Sequence, residues 1–201
     1  MHDMTFCLRR AAWAAAAFAL AFSGMARADG FNLEDQVAVC ASCHGELGVP
    51  QEKITPVIWG QHVGYTYLQL KDFKSGDRKH DVMNAVAEPL ARQDMLALAE
   101  YFAAKPWPRA SAKSAPEEIA TRAERTNVAV ACTGCHQAGY KGEGTQARLA
   151  GQTREYLMKT LVDIRTGERG NNAGMTALMK ATDLDDLAAM SEYLAGLIPV
   201  Q

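Results

Sequence analysis

The sequence predicts an all-α fold made of two tandem copies of one domain. Three observations predict it. Apolar residues recur at helical spacing, no stretch alternates as a strand does, and short elements return after a nearly constant interval. Gly60-Gln61, Tyr65 and Gly76-Asp77-Arg78 recur 91 residues later as Gly151-Gln152, Tyr156 and Gly167-Glu168-Arg169. Cys40, Met83 and Glu100-Tyr101 recur 92 residues later as Cys132, Met175 and Glu192-Tyr193. The halves therefore align end to end, with one residue dropped before the Gly-Gln element and one added after the Gly-x-Arg turn. Two copies make a duplication, not a solenoid.

The helices follow from spacing. Met95, Leu98, Ala99 and Phe102 stand at i, i+3, i+4 and i+7, which puts one apolar face on the closing helix of copy one. Leu187, Met190, Leu194 and Leu197 make its partner, and Thr182-Asp183 reads as its capped start. Tyr67, Leu68, Leu70 and Phe73 predict a helix that stops at Gly76, and Tyr156, Leu157, Leu161 and Ile164 its counterpart. Three or four helices per copy are expected. Between the copies, residues 106–116 hold three prolines and two serines and read as a semi-stiff linker.

Composition excludes several classes. With 48% hydrophobic and 22% charged residues, the 201-residue chain is neither disordered nor polytopic. A net charge of −2 gives nucleic acid no footing. At the N-terminus, Arg9-Arg10, an apolar run from Ala11 to Phe22 and the small-x-small pattern Ala26-Arg27-Ala28 read as a secretory signal peptide. The run is 12 residues, short of the ~20 that span a bilayer. Cleavage after Ala28 takes Arg9, Arg10, Arg27 and Asp3 away and leaves the mature chain at −4. The expected organisation is a signal over 1–28, domain one over 29–105, a linker over 106–116 and domain two over 117–201.

Four cysteines remain after export, in Cys40-Ala41-Ser42-Cys43-His44 and Cys132-Thr133-Gly134-Cys135-His136. Two disulfides or a zinc site would use the cysteines, but neither needs a histidine after each pair. Cys-x-x-Cys-His reads as c-type haem attachment. Two thiols three apart on a helical turn reach the two vinyl groups of one porphyrin, and the adjacent histidine points at the iron. The expected cofactors are two covalently bound haem c groups, on Cys40 and Cys43 and on Cys132 and Cys135, with His44 and His136 on the irons. A six-coordinate carrier needs a second ligand on each iron. Met83 and Met175 are the methionines that match across the repeat, each in a polar, glycine-containing stretch where a loop can fold over a haem. Their thioethers raise the potential. His80, whose counterpart is Asn172, and Met179, one turn beyond Met175, are the rival ligands. His62 reads as a surface or packing histidine. Pro56, twelve residues after His44, offers a carbonyl to the other ring nitrogen, with Ala147 at the aligned place in copy two. Trp59, Tyr65 and Tyr156 are candidates to line the haem crevices, and Arg78 and Arg169 to meet propionates.

With these elements the chain resembles the dihaem class I cytochromes c of the cytochrome c4 family. The match runs through both Cys-x-x-Cys-His motifs, both Gly-Gln elements, the turns at 73–78 and 164–169, both methionines and the closing helices, and covers essentially the whole mature chain. The resemblance implies two cytochrome c folds packed as a pseudo-symmetric pair with adjacent haems. It also implies periplasmic electron transfer between a donor, such as a quinol-oxidising complex or a dehydrogenase, and an acceptor such as a terminal cytochrome oxidase. Peripheral membrane association stays open. A second reading is the electron-accepting cytochrome subunit of a periplasmic dehydrogenase that oxidises sulfide, thiosulfate or an alcohol. A dihaem enzyme is not expected. Thiosulfate dehydrogenases of this type use a cysteine axial ligand, and the mature chain has no cysteine to spare.

Overall fold

Each copy of the repeat ends in a helix whose apolar stripe closes a core. The computed structural model describes residues 30–108 and 113–198. The expected signal peptide, the expected cleavage site after Ala28 and residues 109–112 of the expected linker lie outside the described residues. Residues 31–198 form one compact unit. The first half contains α1 (Leu33–His44), α2 (Val63–Ser75), α3 (Asp81–Ala87) and α4 (Arg92–Ala103). The second contains α5 (Glu117–Val130), α6 (Cys132–His136), α7 (Arg154–Thr166), α8 (Ala173–Lys180) and α9 (Leu184–Gly196), with a 3₁₀ turn at Ala138–Tyr140. The described residues hold no strand beyond one isolated bridge between Glu143 and Gln146.

Helix ends follow local chemistry. Asn32 starts α1 by accepting the backbone N–H groups of Glu34 and Asp35 at 2.9 and 3.4 Å. Gly76 and Gly167 stop α2 and α7 in the left-handed region. Asp183 stands at the start of α9, but its side chain makes no capping bond, so the predicted start is right in place and lacks the expected cap. Copy two departs from copy one at its motif. Helix α1 runs unbroken through Cys40 and Cys43, whereas Ala131, at φ 52°, separates α5 from α6. Copy two therefore has five α-helices where three or four were expected.

A second correction concerns the methionines. Met83 and Met175 lie on short helices, α3 and α8, not in loops. The reason is a cap three residues earlier in each copy. His80 Nδ1 accepts the Met83 N–H at 3.3 Å, and Asn172 Oδ1 accepts the Met175 N–H at 3.0 Å. The far ends are also held. Lys74 Nζ donates to the carbonyls of Glu88 and Leu90 at 2.5 and 2.9 Å, and Arg165 Nη1 to those of Met179 and Lys180 at 3.0 and 2.7 Å. Cations at helix C-termini satisfy orphan carbonyls and oppose the helix dipole.

The closing helices carry the cores. α4 packs on α2 and α1, and α9 on α5 and α7. Leu70, Leu90, Met95, Leu98 and Phe102 form the core of the first half. In the second, Ala123, Tyr140, Leu157, Met190 and Leu194 form one cluster, and Ile164, Met179 and Leu187 another. The stretch expected to be a linker also packs. Trp107 is buried and its indole N–H donates to the Gly151 carbonyl at 3.4 Å. Leu98 and Leu187 are each 1% exposed. Leu98→Ala and Leu187→Ala should each cost about 2–5 kcal/mol, read from denaturant midpoints, because each truncation loses transfer energy and leaves a cavity.

Candidate haem sites

Both motif histidines are buried, and each is oriented by one hydrogen bond. His44 Nδ1 lies 2.8 Å from the Pro56 carbonyl oxygen, and His136 Nδ1 lies 2.9 Å from that of Ala147. A carbonyl only accepts, so Nδ1 carries the proton and Nε2 keeps its lone pair. The carbonyl expected for His44 is the one it uses, and the alignment carries the arrangement to copy two without the proline. The His136 Nε2 is buried with no hydrogen-bond partner. Burial lowers both imidazole pKa values, against the carbonyl bonds that raise them, and His80 lowers His44 further. Both rings are thus held neutral, the form that binds a metal. Burial also pushes the Cys40 thiol up to about 11 and raises that of Cys132.

His44 and His136 face one continuous cavity of about 940 Å³ shared by the two halves. Cys40, Cys43, Met83 and Met175 also line it. Cys132 packs against the core of the second half, and Cys135 is exposed; neither lines the cavity. Met179 is buried in the core beside Ile164 and Leu187, away from the cavity, while Met175 lines it. His80 lines the cavity too, but its Nδ1 is occupied in capping α3. His62 is a packing residue at the junction of the halves, its Nε2 2.8 Å from the Lys141 carbonyl. Trp59 does not line the cavity; it packs against the first core, below the Lys105 ammonium. Tyr65 and Tyr156 do line it.

The arginines cross between halves. Arg78 donates to Tyr156 Oη at 3.0 Å, and Arg169 to Tyr65 Oη at 3.3 Å. Both guanidiniums also donate to Gln69 Oε1, at 2.8 and 2.9 Å. Burial alone would raise the Tyr156 phenol; the two guanidiniums outweigh it and pull the pKa down. These cations line the cavity where acidic groups of a ligand can be met.

The Gly-Gln elements are the residues that motif reading underused. The Gly60 N–H donates to the Phe102 carbonyl at 2.8 Å, and the Gly151 N–H to that of Leu194 at 2.8 Å, which ties each element to its closing helix. Gly60 has φ 69°, and a Cβ there would stand 2.9 Å from the Trp107 nitrogen, so both conformation and room require glycine. Gln61 and Gln152 are buried and reach across to the opposite half. The only sign of this in the sequence is that glutamine stands at the same place in both copies.

No family model matches the chain. Among curated proteins it is 36% identical to cytochrome c4 of Thiocapsa roseopersicina over 172 residues, covering 79% of this chain and 87% of that protein. The chain belongs to the cytochrome c4 family. It is thus a dihaem electron carrier with an all-α, two-domain cytochrome fold and two covalently bound haem c groups. The reduced recombinant cytochrome c4 of Pseudomonas stutzeri superposes with a TM-score of 0.72 at 28% identity, covering 84% of this chain and all of that one. The chain is also 31% identical over 170 residues to the thiosulfate dehydrogenase electron acceptor of Stutzerimonas stutzeri strain A1501, covering 79% of this chain and 78% of that protein.

The residues fit haem. The cavity lies at the upper end of the ~300–1,000 Å³ usual for ligand sites, and it is faced by two neutral imidazoles, two thioethers and two guanidiniums. The buried His136 Nε2 without a partner is the group an iron would satisfy.

For the chain without haem, a pH dependence follows from the lowered histidine pKa values. The folded state leaves these rings neutral, while the unfolded chain protonates them near the ordinary value of about 6.5. The unfolded state therefore binds more protons in acid, and stability falls as pH drops below about 6.5. Denaturant midpoints measured between pH 8 and pH 5 should be flat at the alkaline end and decline below that point.

Proposed function

We propose that Cys40 and Cys43 hold one haem by thioether bonds and Cys132 and Cys135 the other. His44 and Met83 ligate the first iron, and His136 and Met175 the second. The observation that carries this reading is the pair of buried, carbonyl-oriented imidazoles facing one cavity with both methionines. Haem c, when bound, supplies a one-electron ferric–ferrous couple. The chain's part would be to offer each iron one imidazole held neutral and one soft thioether, a pair that favours the ferrous state. An iron held by both groups would have no vacant site for a substrate, so the cytochrome carries electrons and is not itself an enzyme. Arg78 and Arg169 face the propionates.

The carrier works in the periplasm after removal of residues 1–28. The mature chain consists of domain one over 29–105, a linker over 106–116 and domain two over 117–201. It passes single electrons from a quinol-oxidising complex or a dehydrogenase to an acceptor such as a terminal oxidase. Among the described residues no helix is long and apolar enough to cross a membrane. The second reading, an electron acceptor for a periplasmic dehydrogenase, draws on the likeness to the thiosulfate dehydrogenase electron acceptor.

The two ends of the molecule are unequal, and this supports partner docking on the first half. Val39, Ile54 and Val82 of the first half are apolar side chains lining the cavity. The aligned residues of the second half are Ala131, Thr145 and Gly174, small or polar. An apolar rim is what a short-lived protein contact desolvates. The test is oxidation of the reduced cytochrome by membranes containing a terminal oxidase, and its reduction by thiosulfate dehydrogenase with thiosulfate. Val82→Glu should slow the productive reaction about tenfold, equivalent to ~1.4 kcal/mol, and Gly174→Glu should leave it near the wild-type rate. The reverse order would move docking to the second half, and reaction with the dehydrogenase alone would favour the second reading.

A further inference from the structure

Gln61 and Gln152 make the same unusual contact in opposite directions. Gln152 Oε1 accepts the Val57 N–H at 2.8 Å, and its Nε2 donates to the Val57 carbonyl at 3.0 Å. Gln61 Oε1 accepts the Arg148 N–H at 2.9 Å, and its Nε2 donates to the Arg148 carbonyl at 3.1 Å. Val57 and Arg148 are 91 residues apart, as are the two glutamines, so each half clamps the equivalent backbone position of the other. The amide orientations are forced, because a backbone N–H needs the oxygen and a carbonyl needs the nitrogen.

The clamped positions matter because of what precedes them. The Val57 N–H belongs to the same peptide unit as the Pro56 carbonyl, which accepts the His44 Nδ1–H at 2.8 Å. The Arg148 N–H belongs to the same peptide unit as the Ala147 carbonyl, which accepts the His136 Nδ1–H at 2.9 Å. A peptide unit is planar, so holding its N–H fixes the direction of its C=O. Hydrogen bonds on both sides of one amide also polarise each other, which makes the carbonyl a stronger acceptor. Each chain of bonds thus runs from a histidine ring, through a peptide, to a glutamine of the opposite half. The glutamines are each 4% exposed, so water does not compete for these bonds.

We propose that Gln152 and Gln61 are positioning residues acting in trans. Gln152 sets the orientation and basicity of His44 in the first half, and Gln61 does the same for His136 in the second. The proposal rests on the ligand assignment above. A stronger acceptor at Nδ1–H raises the electron-donating power of the imidazole and favours ferric iron. Loss of a clamp therefore raises the midpoint potential of the haem in the opposite half.

The experiment is potentiometry with NMR on the full-length dihaem protein carrying Gln152→Leu or Gln61→Leu. The two potentiometric waves are assigned to haems with Met83→His and Met175→His, each of which lowers one wave. Gln152→Leu should shift upward the wave of the haem on Cys40 and Cys43 and move the His44 ring signals, with the other wave unchanged. Gln61→Leu should do the same to the haem on Cys132 and Cys135 and to His136. Shifts confined to the variant's own half, equal shifts of both waves, or no shift would overturn the proposal. Should the leucine variants not fold, Gln152→Asn and Gln61→Asn keep the amide but draw it back by one methylene from the opposite backbone, so the same crossed pattern appears with a smaller upward shift; an uncrossed pattern, or no shift, overturns the proposal equally. Failure of the ligand assignment is separately visible. In that case Met83→His or Met175→His lowers neither wave, whatever the glutamine variants do.

Discussion

The structure depends on one hydrogen bond made twice, from the Nδ1–H of a buried histidine to a carbonyl in the loop after its motif. That bond decides the tautomer and leaves Nε2 with a lone pair facing the cavity, while burial keeps the ring neutral. Without it, His44 and His136 would be two buried titratable groups with a desolvation cost and no return. With it, the loops at Pro56 and Ala147 must be held still, and much of the remaining architecture serves that end. The Gly-Gln elements dock on α4 and α9, and the closing helices anchor on the most buried leucines of the molecule.

The two halves are joined by reciprocal contacts and not by the linker alone. Gln61 and Gln152 cross at the loops, Arg78 and Arg169 cross to the opposite tyrosines, and Trp107 donates to Gly151. Most of these contacts obey the internal alignment of the sequence, which is what a duplicated domain pairing with its own copy produces. Most are also buried or partly buried and hydrogen-bonded, so they are directional as well as adhesive. The outcome is a single cavity faced by His44 and Met83 from one half and by His136 and Met175 from the other. The asymmetry lies among the aligned residues, where apolar side chains of the first half correspond to small or polar ones in the second.

The parts legible in the sequence were those with a fixed spacing. The four apolar-striped helices and the glycine stops at 76 and 167 are local patterns, and the structure follows them; of the two Cys-x-x-Cys-His pairs, Cys40 and Cys43 line the cavity and Cys132 and Cys135 do not. Pro56 was legible as the carbonyl acceptor for His44 because a proline twelve residues on makes a rigid turn. The helices at Met83 and Met175 were not, because the signal is a single capping side chain, histidine in one copy and asparagine in the other. The break at Ala131 has no sequence marker, since alanine ordinarily favours helix. Gln61 and Gln152 were visible only as repeated letters. Their role appears when the two halves pack, because it depends on a peptide about 90 residues away.

The central claim is that each iron sits between an imidazole and a thioether. Haem stoichiometry combined with the near-infrared sulfur-to-iron band of the oxidised protein tests it most directly. The account predicts two haems per chain, loss of half the band in Met83→Leu, loss of the other half in Met175→Leu, and an unchanged band in Met179→Leu. One haem per chain, or a band that survives both the Met83 and Met175 substitutions, would contradict it.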